Sequence, residues 1–213
     1  MRYVAVIDYG MGNLRSVSKA LEAVAGDVAV KVTADPKLIQ SASHVVLPGV
    51  GAIRDCVDEL ARLDLDMTIQ EVAQTKPLLG ICLGMQALLS HSEENNGTNA
   101  LNIIPGRVRQ FDNTLSRAER DFKVPHMGWN HVHQLFSHPL WKDIEQDSRF
   151  YFVHSYFADP KDKAVTAATT DYQYDFAAAL CKDNIFAAQF HPEKSQHNGL
   201  QLLQNFLNWD GQS

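Results

Sequence analysis

The residues best suited to chemistry in this chain begin with a cysteine set between two glycines. Gly80-Ile81-Cys82-Leu83-Gly84 directly follows the apolar run Pro77-Leu78-Leu79 and precedes the helix-like Met85-Gln86-Ala87-Leu88-Leu89. A tight turn from strand to helix drives its central residue toward unfavourable dihedrals and admits no bulky flanks, so glycines two positions to either side mark a nucleophile elbow. Such a turn lifts the thiol above the sheet edge. At the N-terminus of the following helix, backbone N–H groups and the positive end of the dipole favour thiolate. The N–H of Leu83 can also donate to an oxyanion. The competing reading of Cys82 is a small buried apolar residue, as most free cysteines are. That reading is the expectation for Cys56 and Cys181, each in an apolar-periodic segment.

A thiol nucleophile needs a base, and of nine histidines only His191 has a matching context. It ends the apolar run Ile185-Phe186-Ala187-Ala188-Gln189-Phe190, and Pro192 stops that strand by removing a ladder donor, which leaves the imidazole at the sheet's edge. Glu193 can turn its carboxylate back onto the ring and fix its tautomer, as the third member of a triad does. Taken alone, His-Pro-Glu also fits a surface histidine beside a solvated glutamate. Two such motifs, each at a strand end, favour a Cys82–His191–Glu193 triad.

The elements that must position these groups alternate. Val4 to Ile7 reads as a strand ended by the Gly-rich turn from Asp8. Asn13 is placed to cap a helix in which Leu14, Val17, Leu21 and Val24 recur at helical spacing. Strands at Val28 to Val32, His44 to Leu47 and Pro77 to Ile81 continue the pattern, with a helix from Pro36 and another carrying Ile53, Val57 and Leu60 on one face. Repeated βα units predict an α/β fold with a doubly wound, mostly parallel sheet flanked by helices. From about residue 104, β-rich stretches at Gly106 to Phe111, Arg149 to Val153, Val165 to Thr170 and Phe176 to Cys181 arrive without long helices between them and predict an antiparallel extension. A last strand at Ile185 to Phe190 and a helix with Leu200, Leu203 and Leu207 close the chain, which reads as one domain over residues 1–213. Ser92 to Asn99 reads as a polar surface loop without a role.

Composition narrows the classes of partner. Nineteen Lys and Arg against 25 Asp and Glu leave a formal net charge of −6, and no basic block stands out, so nucleic acid and anionic membrane are poor candidates. The apolar runs are too short to span a bilayer. Arg2-Tyr3 runs straight into a strand with no long apolar leader segment, and three cysteines without close metal-ligand spacing fit a reducing compartment. The expectation is a cytoplasmic protein with no metal and no cofactor.

The motifs together resemble the class I, triad-type glutamine amidotransferases over nearly the whole chain. Gly80-Ile81-Cys82-Leu83-Gly84-Met85-Gln86 is similar to that family's nucleophile signature, Gln189-Phe190-His191-Pro192-Glu193 to its His/Glu signature, and Pro48-Gly49-Val50-Gly51 to its oxyanion loop. Asp8-Tyr9-Gly10-Met11-Gly12-Asn13-Leu14, Pro125-His126-Met127-Gly128-Trp129-Asn130 and Phe152-Val153-His154-Ser155-Tyr156 further resemble the glutaminase subunits of imidazole glycerol phosphate synthase. Ile53 departs from the phenylalanine common after the oxyanion loop, which touches only local packing.

The resemblance implies that Cys82 attacks the glutamine side-chain amide while His191, oriented by Glu193, protonates departing ammonia, and that water then hydrolyses the thioester. It implies oxyanion donors at Leu83 N–H and in the Gly49, Val50, Gly51 loop, and substrate contacts from Gln86 and the main chain of Ser155 and Tyr156. It also implies a partner, the (β/α)₈ cyclase subunit of imidazole glycerol phosphate synthase, which uses the ammonia in histidine biosynthesis.

Asn13, Trp129 and Lys194 are candidates for contact with that partner, with helix cap, core aromatic and solvated charge as their plain alternatives. Gln86 has the alternative of a solvent-facing helix residue, and His126, Trp129, His154 and Tyr156 that of half-buried residues in the β extension. The rival functions are a glutaminase serving another synthase, a γ-glutamyl or papain-like hydrolase acting alone, and a flavodoxin-like module with a redox-sensing cysteine.

Overall fold

Five parallel strands form the centre of the molecule, and four of them are buried along their whole length because their sequences are apolar on both faces, as strands covered by helices on each side must be; the edge strand carries Lys31 and is half exposed. A computed structural model of the chain describes residues 2–112, 116–117 and 120–212. Its first half runs β1 (Tyr3–Ile7), α1 (Leu14–Val24), β2 (Ala29–Thr33), α2 (Pro36–Ser41), β3 (His44–Leu47), α3 (Ile53–Arg62), α4 (Leu65–Thr75), β4 (Leu78–Ile81) and α5 (Leu83–Ala87). The second half contributes β5 (Gly106–Gln110), β6 (His126–His131), β7 (Arg149–His154), β8 (Tyr156–Pro160), β9 (Thr166–Asp171), β10 (Asp175–Lys182), β11 (Ile185–Ala188) and α6 (Gln196–Asn208).

The parallel part of the sheet has the order β2-β1-β3-β4-β11. Beyond β11 the sheet continues antiparallel through β10, β8 and β5, with β9 also paired to β10. Strands β6 and β7 form a separate antiparallel ribbon. The expected fold is therefore present.

Alternation along each strand sorts the core into two layers. Val4, Val6, Val46, Leu79, Ile81 and Phe186 pack with Val17 and Leu21 of α1 and Leu202, Leu203 and Phe206 of α6. Ala5, Ile7, Val45, Leu47, Leu78 and Ile185 pack on the opposite face with Ile39 of α2, Cys56 and Leu60 of α3 and Ile69 and Val72 of α4. Cys56 and Cys181 are both buried and free, as expected of core residues.

Three local expectations need correction. Asn13 stands at the start of α1 but its side chain makes no capping hydrogen bond. The helix after Cys82 covers Leu83 to Ala87 rather than Met85 to Leu89, so it is a single turn and its dipole is correspondingly small. Helix α4 was not foreseen, because its polar positions obscure the buried stripe Leu65, Ile69, Val72 and Ala73. Among the described residues no helix is long and apolar enough to cross a membrane.

Candidate active site

In a doubly wound sheet, groups placed on the loops that follow the parallel strands converge on one edge. Here the loop 8–13 follows β1, Pro48 to Gly51 follows β3, Cys82 follows β4, and His191 lies just beyond β11. Val50, Gly51, Cys82 and His191 of the last three loops line one cavity there, and the first loop is tied to them through Tyr9 and Pro48 O.

Cys82 has φ 53° and ψ −108°, the strained turn expected of an elbow. Its N–H is held by Ala188 O at 2.7 Å, which fastens the elbow to the neighbouring strand. Close approach requires the glycine at 84 and makes position 80 tight. A Cβ on Gly84 would lie 1.9 Å from Leu47 O, and one on Gly80 would lie 3.1 Å from Met85 N. The short helix thus packs its backbone directly onto the end of β3, which brings Leu83 beside the next loop. There Gly49 is equally confined: its Cβ would stand 2.6 Å from Tyr9 Oη and 2.8 Å from Leu83 Cβ. Tyr9, fully buried, donates its hydroxyl to Pro48 O at 2.8 Å and so pins the root of the Gly49–Gly51 loop to the loop after β1. Gly51 adopts φ +99°, and Val50 between the two glycines is exposed at the mouth.

His191 and Glu193 make the second half of the site. Imidazole Nδ1 lies 2.8 Å from Glu193 Oε1, and both side chains are almost wholly buried. The loop that carries them is stapled to β7: His191 N donates to Tyr151 O at 2.9 Å, Ser195 Oγ donates to His191 O at 2.7 Å, and Tyr151 N donates to Ser195 Oγ at 3.0 Å. With Nδ1 committed to the carboxylate, Nε2 is buried and has no hydrogen-bond partner of ordinary geometry among the described residues. It is the nitrogen left for Cys82, which lines the same cavity. Burial alone would lower the histidine's pKa, but the sulfur of Cys82 and the carboxylate of Glu193 outweigh it and push the group up to about 10.

The cavity has a volume of 430 Å³, within the range of small-ligand sites. Cys82, Leu83 and His191 line it together with Val50, Gly51, Gln86, Glu94, Ser155 and Tyr156, and Pro125, Val153 and His154 complete the wall. Gln86 is buried, not solvent-facing, and its Nε2 donates to Tyr156 O and to Gln189 Oε1, both at 3.0 Å. Ser155 O accepts from Phe111 N at 3.1 Å. Across the trans peptide the Tyr156 N–H points the other way, to the side on which Tyr156 O meets Gln86.

Two residues of the site escaped the sequence reading. Glu94 belongs to the stretch read as a surface loop without a role, yet it lines the cavity and its Oε2 accepts from Ile53 N, at the start of α3, at 2.9 Å. Gln189 is fully buried, with its Nε2 3.7 Å from Cys82 Sγ. Its signals were a lone amide inside the apolar run from Ile185 to Phe190 and its place at the head of the His/Glu motif.

The three proposed contact residues do not share one setting. Trp129 is 37% exposed and packs edge-on against Tyr151, with ring centroids 6.1 Å apart, and the Lys194 ammonium lies 5.8 Å from the centroid of the same Tyr151 ring. Met127, two residues before Trp129 on β6, is more exposed still. Asn13 is half-buried on the first loop. Trp129 is thus no core aromatic, whereas His126 and His154 are buried, His154 at the cavity wall.

Comparison with known proteins bears on the family of the whole chain. The family model described as glutamine amidotransferase class-I matches residues 5–209. The imidazole glycerol phosphate synthase subunit HisH of Nitrosococcus oceani is 60% identical over 213 residues, covering 100% of both chains. The subunit of the same name from Pseudomonas putida is 56% identical over 211 residues, covering 99% of each. Among solved structures, a glutamine amidotransferase superposes with a TM-score of 0.72 at 15% identity over 96% of this chain and 97% of the other. PurLQS from Thermotoga maritima does so with a TM-score of 0.70 at 18% identity over 97% and 98%. These distant likenesses speak for the fold alone; the near-complete, high-identity matches carry the assignment. The chain belongs to the class-I glutamine amidotransferase family and, within it, to the HisH subunits of imidazole glycerol phosphate synthase.

Proposed function

We propose that this chain hydrolyses L-glutamine to glutamate and ammonia at Cys82, with His191 and Glu193 completing the triad, and delivers the ammonia to the cyclase subunit of imidazole glycerol phosphate synthase. The observation that carries the reading is the pairing of a strained Cys82 elbow with a buried His191–Glu193 contact of 2.8 Å on one cavity. Cys82 Sγ attacks the side-chain amide carbon, and the π electrons of the carbonyl move onto oxygen. Leu83 N–H and an N–H from Gly49, Val50 or Gly51 receive that charge. As the intermediate collapses, the C–N bond breaks and His191 Nε2 gives its proton to the leaving nitrogen, so ammonia departs from a thioester. Water then adds to the thioester carbon while His191 takes its proton. Collapse of the second tetrahedral species returns the sulfur and releases glutamate. Glu193 keeps Nδ1 protonated and the ring aligned throughout.

The rest of the cavity suits the amino-acid end of the substrate. Tyr156 N–H, turned toward Gln86, is a donor for the α-carboxylate together with the Ser155 main chain. The Glu94 carboxylate and the Gln86 side-chain oxygen are acceptors for the α-ammonium.

Ammonia released into neutral water is protonated to a non-nucleophile, so a partner must close over the outlet. We take Asn13 on the first loop, Val50 at the mouth, and Trp129 and Lys194 beside Tyr151 as the contacts for that partner, with the exposed Met127–Trp129 face supplying an aromatic anchor of the kind found at interface centres. The test is ammonia release from glutamine by the chain alone and with the cyclase subunit and its nucleotide substrate, repeated for Asn13→Ala and Lys194→Ala. Slow release alone and strong activation by the cyclase are expected, weakened in both variants. Full activity in the isolated chain would refute partner gating, and no release under any condition would refute the glutaminase assignment.

A further inference from the structure

The β6–β7 ribbon carries a buried polar cluster, reaching the cavity wall at His154, that the reaction scheme leaves unused. His154 Nδ1 is 2.8 Å from Tyr156 O. A carbonyl only accepts, so that nitrogen carries the hydrogen. Burial pushes His154 down to about 3 and His126 down to about 4, so each ring is neutral and has one donor and one acceptor. The remaining His154 nitrogen, Nε2, must then accept, and it lies 2.9 Å from His126 Nδ1, which donates. His126 Nε2 accepts in turn from Asn130 Nδ2 at 3.2 Å. The Asn130 amide cannot turn over, because its Oδ1 accepts from His131 N at 2.8 Å and its Nδ2 also donates to Asp171 O at 2.9 Å.

Every link from Asn130 to Tyr156 O therefore has one permitted direction. From that carbonyl the network continues through Gln86 and Gln189 to Cys82 Sγ. The rings pack among aromatic side chains: His126 stacks on Tyr172 with centroids 4.0 Å apart and on Phe152 at 4.9 Å, while Phe176 and Phe111 close on His154 at 5.1 and 5.2 Å and leave it bordering the cavity. An aromatic core would be simpler with phenylalanines at both positions, since a buried polar pair contributes only when every partner is met. Here every partner is met, and the chain ends on the backbone that faces the substrate.

We propose that His126 and His154 are positioning residues for glutamine binding: a one-way hydrogen-bond chain through the two imidazoles fixes the Tyr156 carbonyl, and with it the orientation of the adjoining Ser155–Tyr156 peptide toward the substrate's α-carboxylate. The inference rests on the glutaminase reading and on the carboxylate contact assigned above. His126 touches no reacting atom, so its loss acts on binding rather than on bond cleavage.

The test compares His126→Phe, which keeps the stacked ring and removes both hydrogen bonds, with His126→Asn, which restores a donor near the Nδ1 position. Both are assayed as the complex with the cyclase on glutamine and on 4-aminobutanamide, the same amide without the α-carboxylate. Losing a satisfied buried link should raise KM for glutamine about ten-fold in His126→Phe with kcat little changed. His126→Asn should recover most of that loss, and neither change should move kcat/KM for the decarboxylated amide. Asn130→Ala, at the outer end of the chain, should raise KM about three-fold and stands in if His126→Phe fails to fold. Unchanged KM for glutamine in a folded His126→Phe or Asn130→Ala protein overturns the proposal, as does an equal loss on both substrates. If wild-type protein hydrolyses 4-aminobutanamide as well as glutamine, the carboxylate contact itself falls, a failure separate from that of the histidine chain.

Discussion

Replacing Gly84 by alanine adds one methyl group where the fold has no room for it. The new Cβ would stand 1.9 Å from Leu47 O and 2.8 Å from Leu47 C, and contacts under 3.0 Å do not occur at real Cβ atoms. The obstacle is backbone at the end of a buried strand, so no rotamer change relieves it. Helix α5 must retreat from β3 by about 1 Å or more, and it carries Leu83 and the Cys82 elbow with it. Overpacking of this kind costs about 1–3 kcal/mol or more. For a chain of this length each kcal/mol lowers the melting temperature by about 2–4 °C, so a fall of about 5 °C is expected. The effect on chemistry is larger, because displacing a nucleophile and its oxyanion donor by about 1 Å costs about 10²-fold in rate. The assay pairs thermal unfolding with glutamine hydrolysis in the presence of the cyclase. A Gly84→Ala protein with melting temperature and kcat both near wild type would refute the claim that direct helix-to-strand backbone contact sets the elbow.

Further outcomes follow from the triad. His191→Ala should cost far more in glutamine kcat/KM than Glu193→Gln, since the ring moves the proton and the carboxylate orients it; for the carboxylate about 10⁴-fold is the upper bound known from serine triads. Two variants both near wild type would place the base elsewhere. The pH dependence of stability has a defined sign. Because folding raises His191 to about 10, its stabilising contribution is complete below its ordinary value near 6.5 and disappears as pH rises toward 10. The difference in unfolding free energy between wild type and Glu193→Gln should therefore shrink across that interval, and a difference that grows with pH would contradict the assignment.

The parallel half of the fold was legible because its strands are short apolar runs ended by Gly- and Pro-containing turns, and the residues that follow those runs include Cys82 and His191. Chemistry that sits at strand ends announces itself in one dimension. The parts that were not legible depend on contacts distant in sequence. Glu94 reaches the cavity because its carboxylate caps the N-terminus of α3, some forty residues away. Gln86 on α5 meets Gln189 just past β11, and His126 and His154 meet across a β-ribbon register in which they are paired directly. Asn13 has the residue type and place of a helix cap but makes no capping bond, since propensity sets only what a side chain is able to do. The one-turn length of α5 was hidden for a related reason: Met85, Leu88 and Leu89 are all buried by tertiary packing, which mimics the apolar pattern of a longer helix.

The central claim, that Cys82 is the nucleophile supplying ammonia, is tested most directly by Cys82→Ala assembled with the cyclase and assayed with glutamine and with ammonium salt in parallel. The account predicts loss of glutamine-dependent product formation and an undiminished ammonia-dependent reaction, because only the nitrogen source is removed. Glutamine-dependent turnover near wild type in Cys82→Ala would contradict it.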